Sequence, residues 1–111
     1  MQIIQKSDGL DERQIFKLTR GDCQKMKDCV GVQFDVAEYV LYTDTDKKTG
    51  EERELLILVT PEGESYGTNS ATVIKTFLDM LDTFTLPISD IVITKKRNDR
   101  SGRDYCNIVL V

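Results

Sequence analysis

The sequence predicts a mainly β fold with helices, of the α+β class. Five strands would form a small barrel, with a helix between strands three and four and a short N-terminal helix before the first strand. Three observations lead there. Short apolar runs rich in β-branched residues recur along the chain, separated by turn residues. Only one long segment, residues 71–84, has wide helical periodicity. Two final apolar runs, Ile91-Val92-Ile93 and Ile108-Val109-Leu110-Val111, flank a polar stretch in the manner of a hairpin.

The elements follow in order. Ile3-Ile4 starts a short strand and Ser7-Asp8-Gly9 reads as a turn. Thr19-Arg20-Gly21-Asp22 fits a helix start, with Thr19 as cap and Leu18 and Cys23 placed as a hydrophobic staple. Cys23, Met26 and Val30 continue at helical spacing and Gly31 is a natural stop, which predicts a short helix over 20–30. Phe34 to Thr43 reads as a strand carrying Phe34, Val36, Val40 and Tyr42 on one face, and Ala37, Tyr39 and Leu41 on the other. A polar loop over 44–53 leads to Leu55-Leu56-Ile57-Leu58-Val59, a continuous apolar run expected of a strand buried on both faces. Pro61-Glu62-Gly63 is a turn, and 65–68 a short strand. Asn69 or Ser70 can cap the helix over 71–84, whose apolar stripe is Val73, Ile74, Phe77, Leu78, Met80, Leu81 and Phe84. Strands over about 89–96 and 103–111 complete the chain. This order is that of the oligonucleotide/oligosaccharide-binding (OB) barrel, and other small α+β sheets share it.

Size and composition fit one domain. The chain has 111 residues, 40% hydrophobic and 31% charged. No apolar run approaches the ~20 residues of a membrane span, and Met1 to Lys6 has no signal-peptide core. A cytoplasmic protein with no membrane partner is expected.

The absence of histidine removes a Ser-His-Asp triad, a histidine base and a Cys/His zinc site. Three cysteines without a CxxC pair read as reduced core thiols. No Walker loop or GxGxxG motif is present. Asp44, Asp46, Glu51, Glu52 and Glu54 read as a solvated loop interspersed with cations. The expectation is therefore not an enzyme, with no cofactor and no metal.

Charge is unevenly distributed. The chain carries a formal −4, yet the nine residues 95–103 hold five cations against one anion, so the remainder carries −8. A basic tip on an acidic chain points to a local anionic partner, with nucleic acid as the leading class. Phosphates would meet Lys95, Lys96, Arg97, Arg100 and Arg103, with help from Lys47, Lys48 and Arg53 in the 44–53 loop. Gly102 would supply a positive-φ turn position. Bases would stack on Tyr105, Tyr39 and Tyr66, while Tyr42 and the four phenylalanines read as core.

The string from Val59 to Ser70, followed by its apolar helix, resembles small single-stranded DNA-binding proteins of phages and mobile elements in Gram-positive bacteria. Lys25-Met26-Lys27-Asp28 upstream and Arg100-Ser101-Gly102-Arg103 downstream extend the likeness over about residues 20 to 105. The resemblance implies a cytoplasmic accessory protein of DNA replication or recombination that coats single strands in a sequence-tolerant manner. Replication or host proteins would be further partners. Strand-coating sites gain avidity when linked, so a homo-oligomer is expected. The competing expectation from the acidic surface is a protein-interaction module that modulates a host factor without binding nucleic acid.

Overall fold

Eight strands, not five, organise the chain, and they fall into two sheets. The computed structural model describes residues 1–111. In chain order the elements are β1 (Gln2–Lys6), α1 (Glu12–Thr19), β2 (Gln24–Lys25), a 3-10 turn (Met26–Asp28), β3 (Gln33–Val36), β4 (Glu38–Thr45), β5 (Glu52–Val59), β6 (Ser65–Thr68), α2 (Ala71–Thr83), β7 (Ile88–Arg97) and β8 (Asp104–Leu110). One sheet has the order β1-β4-β5-β6-β2 and the other β3-β7-β8. The mainly β, α+β reading therefore holds.

The expected closed barrel of five strands is corrected: the two sheets are not joined by a ladder. The reason lies at the edge of β6. That edge is taken by β2, which runs parallel to it with Gln24 opposite Tyr66 and Lys25 opposite Gly67. β8 pairs only with β7 and keeps its other edge free of a strand partner.

The helix expected over 20–30 is also corrected. The N-terminal helix is α1, eight residues earlier in its start. Asp11 forms a reciprocal capping box: its Oδ1 accepts from the Gln14 backbone N–H at 2.8 Å, and Gln14 Oε1 accepts from the Asp11 N–H at 3.0 Å. Thr19 is the last helical residue, its hydroxyl donating to the Ile15 carbonyl at 2.9 Å, so it cannot be the cap of a later helix. Residues 24–28 are claimed instead by β6 and the 3-10 turn, which buries Met26 completely.

The strand expected over 34–43 is one extended stretch that changes sheets. Its first half, β3, pairs antiparallel with β7. At Ala37 the chain turns a corner, the Ala37 N–H donating to Val59 O at 2.8 Å, and its second half, β4, pairs with β1 and β5.

Both faces of β4 and β5 are covered. Tyr39, Leu41, Leu56 and Leu58 face a main core shared with β3, β7, β8 and the α2 residues Val73, Ile74, Phe77 and Met80. Val40, Tyr42 and Ile57 face a smaller cluster closed by Leu10 and Ile15, the latter from α1. The continuous apolar run of β5 is explained by this double burial. Ser70 caps α2, its Oγ accepting from the Val73 N–H at 3.3 Å. Phe16 and Phe84, both expected in the core, are exposed instead.

Candidate nucleic-acid interface

The basic tip is the turn of the β7–β8 hairpin. Its backbone is closed on itself: Asn98 N–H donates to Arg103 O and Gly102 N–H to Asn98 O, each at 2.8 Å. The Asn98 side chain accepts from the Arg100 N–H at 3.0 Å. Gly102 adopts φ 67°, the expected positive-φ position. All five cations are exposed. Lys95 is paired with Asp104 at 3.1 Å, across the hairpin. Lys96, Arg97, Arg100 and Arg103 form no ion pair, and with Asp99 in the same turn they leave a net charge of +3 for an external anion.

Tyr105 lies beside them. It is directly opposite Lys96 in the β7–β8 register and is 37% exposed. Its ring is the shared wall of two hollows. The first, of about 630 Å³, is polar and sets Arg97 and Arg103 against Asp99 and Asp104, with Asn98 and Ser101 between them. The second is a groove of about 540 Å³ that crosses the open seam between the two sheets. Its floor is Leu55, Ile57 and Gly67, on the outer face of β5 and β6. One wall is Tyr105 and Cys106 of β8, the other Cys23 to Lys25 with Lys27, and Asn69 and Ser70 close it at the start of α2. Gly67 leaves room for Cys23 here: a Cβ would stand 2.9 Å from Cys23 Sγ and push the thiol aside.

Two of the three tyrosines expected to stack do not. Tyr39 is 5% exposed, its hydroxyl accepts from Gln5 Nε2 at 2.7 Å, and its ring meets Phe77 edge-on at 5.3 Å between centroids. Tyr66 is buried against Phe34, with ring centroids 4.6 Å apart, and donates to Glu64 Oε2 at 3.1 Å. Burial, and then Glu64, raise its pKa above the ordinary phenol value. Both rings point into the main core, because β4 and β6 direct these alternate positions inward.

The 44–53 loop contributes less than its charge implied. Lys47 and Lys48 are exposed at its tip, but neither they nor Arg53 line the groove. Arg53 is held by Asp46 at 3.0 Å. The Asp46 carboxylate also accepts from the Lys48 and Thr49 N–H groups, which with Arg53 lower its pKa. No three His, Cys, Asp or Glu side chains come together in a way that could hold a metal ion.

Sequence reasoning missed Lys25, Lys27 and Tyr42 as groove residues. The Lys25-Met26-Lys27 alternation was the available signal: one buried residue between two exposed lysines suits an edge strand passing into a turn better than a helix. Tyr42 is largely buried yet reaches the groove, and its pKa is raised by burial, then by Cys23 and Asp44.

The three thiols are free and half-buried. Burial and the neighbouring Asp22 carboxylate raise the Cys23 pKa above its ordinary value. A raised folded-state pKa adds stability that is intact below the unfolded thiol pKa and is lost as pH rises through the folded one. The urea midpoint should therefore fall as pH rises above about 8.5, the unfolded thiol value, with Tyr42 and Tyr66 adding to the decline above about 10. Cys23→Ala should flatten the first part of that decline. An identical pH profile in the variant contradicts the assignment.

Comparison of the chain with protein-family models, with curated proteins and with solved structures finds no match.

Proposed function

We propose that this chain is a sequence-tolerant single-stranded DNA-binding protein and that its fold is an opened OB-like barrel. The observation that carries the reading is Tyr105: one exposed ring shared by an apolar-floored groove and a polar hollow that holds Arg97 and Arg103, next to four cations that form no ion pair. Single-strand binders need this combination, a π-face for bases and a cationic track for phosphates. Tolerance of sequence follows, because every base offers a π-face. The OB-like reading is supported by the strand that bends between two sheets at Ala37 and by α2 lying between β6 and β7. In that reading β2 fills the edge where closure would occur. A cytoplasmic role in phage or mobile-element replication or recombination rests on the resemblance at residues 20 to 105.

Phosphates would run along Lys96, Arg97, Arg100 and Arg103, with Lys25 and Lys27 on the opposite wall. Fluorescence anisotropy with labelled oligothymidine tests this. For single strands log K falls with log salt by about 0.7 per phosphate neutralised, so four tip contacts give a slope of about −3. Replacing Arg97 and Arg103 together by alanine should make that slope shallower by about 1.4. No binding at low salt with micromolar protein overturns the reading.

A further inference from the structure

The exposed face of α1 is a cationic and aromatic surface that the tip and groove do not use. Arg13, Phe16, Lys17 and Arg20 fall at i, i+3, i+4 and i+7, which places them on one stripe of the helix and its C-cap. Ile15 points the other way, into the cluster with Val40, Tyr42 and Ile57. All four stripe residues are exposed, Phe16 by 58%. None of the three cations forms an ion pair. The Arg20 guanidinium lies 4.9 Å from the Phe16 ring centroid, a cation–π contact that orients the ring. Beside that ring is an open hollow of about 350 Å³ walled by Glu12, Arg13, Phe16 and Lys17, which Arg20 does not line.

This is the same pairing of ring and cations found at Tyr105. The two places are also neighbours across one layer of packing. Tyr42 and Ile57 belong to the cluster under α1, and both line the groove, as does Cys23, which packs against that cluster. α1 and the groove floor therefore share the outer face of the five-stranded sheet, and a strand leaving the groove can continue over α1.

We propose that the Arg13/Phe16/Lys17/Arg20 stripe is a second contact for the same single strand, with a base stacked on Phe16 and phosphates on Arg13 and Lys17. This inference rests on the single-strand reading. A flat π-ligand bearing anions satisfies both the ring and the cations. An acidic protein surface satisfies the cations alone and leaves Phe16 uncovered. Glu12 is the one opposing charge in the hollow, and the stripe remains net positive with it included.

The test uses the full chain and two oligothymidines, one of about 8 nucleotides that fills a single site and one of about 24 that can extend beyond it. Phe16→Ala is expected to leave binding of the short strand unchanged and to weaken the long strand about five- to hundredfold, the range for one lost stacking contact. Because Phe16 is exposed, the variant should melt as the parent does. The chain has no tryptophan, so Phe16→Trp introduces a single fluorophore. Its emission should be quenched by the long strand and not by the short one. Unchanged affinity for both lengths, an equal loss at both, or an unquenched tryptophan overturns the inference while leaving the parent's binding intact. If Phe16→Ala or Arg13→Ala instead abolishes self-association in sedimentation and leaves long-strand affinity unchanged, the stripe belongs to a second copy and the inference fails. If the parent binds neither strand, the single-strand reading falls first and this one with it.

Discussion

Tyr105→Ala should weaken oligothymidine binding about five- to hundredfold, the loss expected when one base–aromatic stack worth about 1–3 kcal/mol is removed. Tyr105 is the residue where this loss concentrates because its ring borders both hollows and Lys96 lies directly across the hairpin from it. Tyr105→Phe should retain most of the affinity, since the π-face persists. The fold should tolerate both changes, because the ring is over a third exposed and stands outside the main core. Anisotropy titrations at fixed salt, paired with thermal melts, separate the two effects. An alanine variant that binds as the parent does would remove Tyr105 from the site and leave only the charged tip. Tyr39→Phe is the contrasting substitution: its ring is core, so any change should appear in stability through the lost Gln5 hydrogen bond and not in binding.

Phe77→Ala should lower the unfolding free energy by about 3–5 kcal/mol, the range for deleting a fully enclosed aromatic side chain. For a domain of this size, stabilised overall by about 5–15 kcal/mol, that is a large share. Phe77 is fully buried in the middle of α2's apolar stripe and carries the helix against the inner faces of both sheets. Its ring also supports Tyr39 edge-on, so its loss opens a cavity between α2 and β4. Urea unfolding would show the shift as a lower midpoint at an unchanged slope. A change under about 1 kcal/mol would mean that α2 is not the element holding the two sheets together.

The parts of this fold that could be read from sequence are those fixed by local chemistry. α2 is legible because a cap residue and a wide apolar stripe agree. β5 is legible because five consecutive apolar residues suit a doubly covered strand. The hairpin at 88–110 is legible because two apolar runs bracket a polar turn with Gly102 where the backbone needs it. What failed was decided at long range. Alternation along β4 showed which side chains share a face. It did not show that α1 covers one face while α2 covers the other, so Tyr39 could not be told from an exposed ring. The Asp11/Gln14 box was present in the sequence, but the apolar spacing of Cys23, Met26 and Val30 pointed to a later helix; only Met26 of the three is buried, and Val30 is exposed. The groove itself draws on β2, β5, the start of α2 and β8, segments with no common period. Arg53 looked like a free cation until the loop folded Asp46 back on it.

The two-residue ladder of β2 on β6 has a mechanical meaning. One wall of the groove is fastened by two register pairs and by Met26, which acts as a peg driven into the main core. The opposite wall is the tail of a long ladder that runs through β7. The groove thus has one wall carried by a long ladder and one carried by a short ladder and a single buried side chain. Substitutions at Cys23 to Lys25 and at Lys27 therefore alter that wall without touching the β4–β5 and β7–β8 ladders.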